Sequence, residues 1–289
     1  MFHKNMFSMK NNRLIPISLF CLFFLPNLVF SQDQDSLQIV QAKWNSREVK
    51  KGVTTHQGHF ENLFNSVQEI NWVEIDLKKY RKDIHIAAEA NKLLTTSDFA
   101  EQYQALVAIN ASFFDMKNGG SVDYLKVDQQ VMSREKEKPN SRANAAFSIS
   151  KKKVSILENT PEHVENSNAH SILVAGPLLL KDHSYYELSK NAFNDNRHPR
   201  TAVAISSKHK LIFMVIDGRS NQANGMNLKE LSQVLKWIGA KDAMNLDGGG
   251  SSTLYVKDGS SNSIINYPSD NKKFDHEGQR SVANIIYLK

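Results

Sequence analysis

The 289-residue chain contains a single cysteine, Cys21. One thiol cannot form an intramolecular disulfide, so the fold must be held by packing. No internal repeat of roughly 20–50 residues is present, which excludes solenoid and propeller arrays. No second long hydrophobic run follows the one that ends near residue 30. Charge of neither sign is concentrated: 36 Lys and Arg face 30 Asp and Glu, for a net +6, and the basic residues are scattered. That excludes the basic stripe of a nucleic-acid binder, and the run Lys151–Lys153 reads as a solvated turn. Glycine is scarce at 13 residues, yet three of them are adjacent in "NLDGGGSSTLYV" (245–256).

What is present begins with an export pattern. Lys4, Lys10 and Arg13 precede the apolar run from Leu14 to Phe30, and Val29 and Ser31 suit the −3 and −1 places of a cleavage site. Residues 1–31 read as a secretory signal peptide, which predicts a periplasmic or secreted protein with no membrane association after cleavage. The rival reading is an uncleaved anchor, but Pro16 and Pro26 interrupt a span barely long enough to cross. Cys21 follows "SLF" rather than a lipobox and leaves with the signal. The three basic residues leave with it and no acid does, so the net charge falls from +6 to +3.

Residues 32–68 are polar and read as a weakly patterned leader with one short strand; the domain proper spans 69–289. In "NWVEIDL", Val73, Ile75 and Leu77 alternate with acids, the period of a half-buried strand, and "DIHIAAE" reads as its partner. "TTSDFAEQYQA" opens on helix caps, and the strand "ALVAI" follows, ending at Asn110. "TAVAIS" and "KLIFMVID" read as a hairpin. "NLKELSQVLKWIGA" is the clearest helix, with Asn227 and Glu230 spaced as a capping box and Gly239 as its stop. "DAMNLD" reads as a short buried strand, "TLYVKDGSSNSIIN" as a hairpin and "SVANIIYL" as a closing strand. Many strands, short turns and few helices predict a single α+β domain whose core is a mixed, largely antiparallel β-sheet.

The glycine run is not a P-loop, because no lysine follows its last glycine, and not a dinucleotide fingerprint, because Thr253 and a strand follow. Neither Asp217-Gly218 nor Asp247-Gly248 carries the Asp-Thr/Ser-Gly of an aspartic protease. Two readings remain. Gly248, Gly249, Gly250, Ser251 and Ser252 can form an anion-binding concavity of backbone N–H groups and hydroxyls beside Asp247. They can equally form a structural turn whose acid caps local N–H groups. "FMVIDGRS" repeats the strand-then-Asp-Gly arrangement at Asp217, so two carboxylates on one sheet edge are candidates for acid–base or nucleophilic work. Arg200 and Arg219, and Arg280 as a third, offer guanidinium forks that fit phosphate oxygens. His198 is a lone loop histidine, and no spaced His/Cys/Asp/Glu set calls for a metal or other cofactor.

Read in order, "AINASFFD", "VAGPLLL", "PRTAVAI", the long segment from Asp217 to Thr253 and "QRSVANIIYL" resemble the phosphodiester glycosidase family, the uncovering-enzyme family with bacterial exopolysaccharide-biosynthesis-like members. The resemblance runs from about Asn71 to Lys289. It implies a hydrolase that cleaves glycosyl phosphodiesters at the anomeric carbon, with a carbohydrate or sugar-phosphate substrate. Under it, Asp247 and then Asp217 become the catalytic candidates, and Arg200, Arg219 and residues 248–252 the phosphate-holding ones. Asn110, Asn245 and Arg280 align with motif residues expected to line the site. Ala111 and Ser112 stand where the family commonly has glycines, which is expected to narrow one wall. Two rival functions remain: a non-catalytic sugar-phosphate or glycan-binding protein, and a metal-dependent phosphodiesterase using both aspartates. The sequence leaves the oligomeric state open.

Overall fold

The computed structural model describes residues 1–2, 34–134, 142–259 and 263–289. Beyond Met1 and Phe2, the expected signal peptide lies outside the described residues. Asp33–Lys289 forms one compact unit. No described helix is long and apolar enough to cross a membrane.

Three antiparallel sheets build the unit. The largest has eight strands in the order Asn45–Lys50, Val53–Phe60, Gln68–Asp76, Lys210–Ile216, Arg200–Ser206, Ala240–Asn245, Leu178–Lys181 and Ser184–Tyr185. A four-stranded sheet runs Leu254–Val256, Val107–Asn110, Asn284–Leu288, Ile84–Ala88, and a five-stranded one is centred on Ser171–Ala175. Every strand pairing among the described residues is antiparallel, so the expected mixture resolves to its antiparallel part.

The middle of the large sheet is buried on both faces, and its sequence shows why. In Lys210–Ile216, Leu211, Phe213 and Val215 point to one side, and Ile212, Met214 and Ile216 to the other. The first set packs with Val107, Ile109, Phe147, Leu173 and Ile286 of the two smaller sheets. The second packs under Leu228, Leu231, Val234 and Leu235, one stripe of the helix Leu228–Trp237. Each such side chain removed from water contributes roughly 1.5–3 kcal/mol. The helix starts as its sequence predicts, with the Asn227–Glu230 capping box closed in both directions.

Two non-local expectations fail. "DIHIAAE" does not pair with "NWVEIDL"; Ile84–Ala88 pairs with Asn284–Leu288, while Gln68–Asp76 lies between Val53–Phe60 and Lys210–Ile216. The segment 32–68 is no loose leader where it is described. It forms the helix Gln34–Val40 and two strands that extend the large sheet, with Ile39 and Leu63 in the core beneath the helix Leu228–Trp237. Its polar residues fit an edge, because the outermost strand, Asn45–Lys50, is almost entirely exposed.

Candidate active site

Strands Lys210–Ile216 and Ala240–Asn245 flank Arg200–Ser206 and both run antiparallel to it. Their C-terminal ends therefore share one edge of the sheet, two strand spacings or ~10 Å apart. Asp217 and Asp247 follow those ends. Beyond Asn245 the chain crosses from the large sheet to the four-stranded one: Leu246 N–H donates to Thr201 O at 2.8 Å and Asp247 N–H to Ala111 O at 2.8 Å. Asn110 fastens the crossing. Its Nδ2 donates to Asp247 O at 2.6 Å, and its Oδ1 accepts from Thr253 N–H at 3.0 Å. Thr201 Oγ1 stands 3.0 Å from Asn110 Oδ1 and 3.1 Å from Ser252 Oγ. Asn245 Nδ2 donates to Gly176 O and Leu246 O at 2.8 and 2.6 Å. Asn110, Asn245 and Ser252 are all buried, so they hold the loop from behind and do not line an open surface.

The glycine run forms a tight turn. Gly249 N–H donates to Pro199 O at 2.8 Å, Ser251 N–H to Gly248 O at 3.3 Å and Ser252 N–H to Gly249 O at 3.2 Å. The N–H of Gly248 acts to lower the pKa of the Asp247 carboxylate. The N–H groups of Gly249, Ser251 and Ser252 thus already have protein acceptors and are not free for the phosphate-cradling role expected of the run. The glycines are needed for what lies against them. Gly249 has φ +63°, and a Cβ there would stand 2.9 Å from Arg219 Nη2. A Cβ at Gly250 would overlap the Asp270 carboxylate and stand 2.6 Å from Arg280 Nη2.

The turn thus places cations around one carboxylate. Asp247 is half-buried, and burial pushes its pKa up to about 6. Against that rise act the nearby Ser251 hydroxyl, the charges of Arg280 and Arg142, and the Gly248 N–H, in that order. Ser251 Oγ is buried and exerts its influence without the geometry of a formed hydrogen bond. Arg280 is oriented by a two-pronged pair with Asp270, at 2.9 and 2.6 Å. Arg142 lies over the Phe113 ring at 4.1 Å, and Arg219 is exposed beside Gly249. His198 is held below its ordinary pKa, first by burial and then by the Arg200 and Arg219 charges.

Asp217 and Arg200 part from this group. Asp217 is fully buried; its Oδ2 accepts from Asn71 Nδ2 at 2.8 Å, and its Oδ1 from Asn266 Nδ2 and Tyr267 N–H, both at 2.9 Å. Burial drives its pKa up to about 7 despite these donors. A carboxylate so enclosed ties the Ser263–Tyr267 segment to the large sheet and has no face for a substrate. Arg200 is likewise buried, and its guanidinium is spent on the carbonyls of Met226, Phe193 and Asn196 at 2.7–2.8 Å. So placed, neither the Asp217 expected to be catalytic nor the Arg200 expected to hold phosphate joins the group around Asp247.

Sequence reading missed Arg142 and Asp270. Arg142 stands just before a strand, with nothing local to separate it from any surface arginine, and Asp270 sits in the polar loop "YPSDNKKFD", where only its loop position hints at use. The wall at residues 111–112 also differs from expectation: Ser112 points inward, its N–H 2.7 Å from Asn284 Oδ1 and its hydroxyl between Asn284 and Ser121, so it does not narrow the cleft. Among the described residues no three His, Cys, Asp or Glu side chains gather as a metal-ion set.

Comparison with known proteins gives a consistent answer. The family model described as phosphodiester glycosidase matches residues 103–289. Human N-acetylglucosamine-1-phosphodiester alpha-N-acetylglucosaminidase is 27% identical over 198 residues, covering 63% of this chain and 37% of that protein. The SPbeta prophage-derived uncharacterized protein YomE of Bacillus subtilis is 24% identical over 214 residues, covering 66% and 33%. The chain thus spans little more than a third of the length of these relatives. In three dimensions, the zebrafish N-acetylglucosamine-1-phosphodiester alpha-N-acetylglucosaminidase catalytic domain superposes with a TM-score of 0.65 at 21% identity, covering 82% of each chain.

Proposed function

The chain belongs to the phosphodiester glycosidase family, and from that premise we propose that it is a hydrolase of glycosyl phosphodiesters with Asp247 as its catalytic carboxylate. The observation that carries this reading is the pairing of one half-buried carboxylate, raised to about 6, with guanidinium groups that act on it from Arg280 and Arg142. In the reaction, water adds to the anomeric carbon as the bond from that carbon to the phosphate oxygen breaks. Asp247 takes the proton of the attacking water. A carboxylate near pKa 6 is suited to that task close to neutral pH. The departing phosphate monoester carries the electron pair, and with a second pKa of about 6 it needs no acid to protonate it. Arg280, Arg142 and Arg219 meet its growing charge, the role first expected of the glycine turn. Asp270 orients Arg280 and is a positioning residue, as is Asn110 through its hold on the Asp247 carbonyl.

We further propose that the chain acts outside the cytoplasm on envelope or secreted glycans. Support comes from the export pattern of residues 1–31. Incubation with a panel of sugar-1-phosphodiesters, with products followed by NMR, tests the activity. Release of free sugar with inverted anomeric configuration is expected of a carboxylate acting as base. Retention would make Asp247 a nucleophile instead. Saturable binding with no turnover of any panel member would favour the non-catalytic sugar-phosphate-binding reading.

A further inference from the structure

At the opposite end of the large sheet from Asp247 lies a cleft of about 770 Å³. Several elements meet there. Arg200–Ser206 ends at it and Lys210–Ile216 begins beside it, with His209 in the turn between them. Ala240–Asn245 begins there with Lys241 and Asp242. The hairpin turn before Val154–Glu158 supplies Lys152 and Lys153, and the short helix Leu77–Tyr80 and the turn after it supply Lys78 and Arg81. Strands of six or seven residues at ~3.3 Å each put this cleft ~20 Å from Asp247, so it is a separate place and not an extension of the catalytic one.

Its charge is one-sided. The acids lining it are already matched: Asp182 pairs with Lys241 at 2.9 Å, and Asp242 with Lys181 at 3.5 Å. Lys78, Arg81, Lys152 and Lys153 form no ion pair among the described residues, and Arg81 Nε is a buried donor with no acceptor. The chain itself scatters these cations over more than seventy positions, which is why Lys152 and Lys153 read as a solvated turn in the sequence. Between them lie the largely buried aliphatic side chains of Leu77, Val154 and Ile156, with Ile205, three serines and two histidines; the lining includes no Phe, Tyr or Trp. Binding of unpaired nucleic acid relies on aromatic platforms for the bases. Cations set among C–H and hydroxyl groups suit a ligand with repeated negative charges, C–H faces and hydroxyls between them and no bases.

We infer that this cleft binds a linear polymer of phosphodiester-linked polyol or sugar units, and holds such a polymer at a distance from the catalytic carboxylate. Lys78, Arg81, Lys152 and Lys153 take the phosphates. The inference depends on charge and shape at this end of the sheet alone, so it stands or falls apart from the assignment of Asp247. Fluorescent poly(glycerol phosphate) is the probe, with an equally charged single-stranded oligonucleotide and a neutral dextran as comparisons, titrated onto the full chain at several salt concentrations. The triple variant Lys78→Gln, Lys152→Gln, Lys153→Gln alters exposed side chains only, and its melting temperature verifies the fold. Wild type is expected to bind the phosphate polymer more tightly than the oligonucleotide and to ignore dextran. The variant is expected to bind it roughly tenfold more weakly at low salt, with the slope of log K against log salt shallower by about 2. Its turnover of a small sugar-1-phosphodiester should match wild type. Absent binding by wild type, equal affinity in the variant, or preference for the oligonucleotide would each overturn the inference.

Discussion

Asp217 and Asp247 follow strands that end on the same edge of the large sheet, and each precedes a glycine, yet different groups meet their carboxylates. Asp217 is met by three neutral donors from Asn71, Asn266 and Tyr267 and is sealed from solvent. Asp247 keeps a partly open face and is met by the fields of Arg280 and Arg142. Both are raised by burial, so a raised pKa alone does not separate a structural acid from a reactive one. What separates them is whether lone pairs remain for a substrate. The same contrast holds between Arg200, whose donors go to backbone carbonyls, and Arg280, whose single carboxylate partner leaves it at the rim of the turn.

Substitution of the two aspartates should break the comparison most sharply. Asp247→Asn is expected to lower kcat by about 10²–10⁴ with little change in melting temperature, read by steady-state hydrolysis beside a thermal melt. Asp217→Ala should instead cost ~3 kcal/mol or more in urea unfolding, because three buried donors lose their acceptor. If Asp217→Ala leaves stability intact and abolishes turnover, the two roles have been exchanged.

A smaller effect sharpens the electrostatic half of the contrast. Arg280→Gln is expected to reduce kcat/KM by roughly 10²-fold through lost stabilisation of the leaving phosphate. It should also move the acidic limb of the pH–rate profile, expected near pH 6, to higher pH, since the Arg280 charge holds the Asp247 pKa down. A limb that stays in place would detach Asp247 from the rate.

The smallest predicted difference lies in stability against pH. Both aspartates have folded pKa values above their ordinary 3.8, so the native state keeps protons that the unfolded chain has released. Their contribution is therefore fully present below about pH 4 and is lost as pH rises, through about 6 for Asp247 and about 7 for Asp217. Asp217→Asn should remove the decline between pH 6 and 7, and Asp247→Asn should leave it, as read from urea midpoints across that range.

Local patterns carried much of this into the sequence. The capping box of Asn227 and Glu230, the hairpin of Arg200–Ser206 with Lys210–Ile216, and the pair of strand-terminal aspartates depend on residues near one another in the chain. The remainder depends on distant partners. Ile84–Ala88 finds its neighbour about two hundred positions later, and the donors that enclose Asp217 come from residues 71, 266 and 267. Arg200 opens a strand and Arg142 stands just before one, and in sequence they look alike; only folding sends one to buried carbonyls and the other toward Asp247. The glycine run was legible as special, but not what lies against it: Arg219, Asp270 and Arg280 occupy the place where side chains would stand.

The most direct test is hydrolysis of a sugar-1-phosphodiester in ¹⁸O-labelled water, with wild type and Asp247→Asn compared. Label is expected in the anomeric hydroxyl of the released sugar, none in the phosphate, and almost no product from the folded variant. Label in the phosphate, or undiminished release by Asp247→Asn, would contradict the proposed reaction.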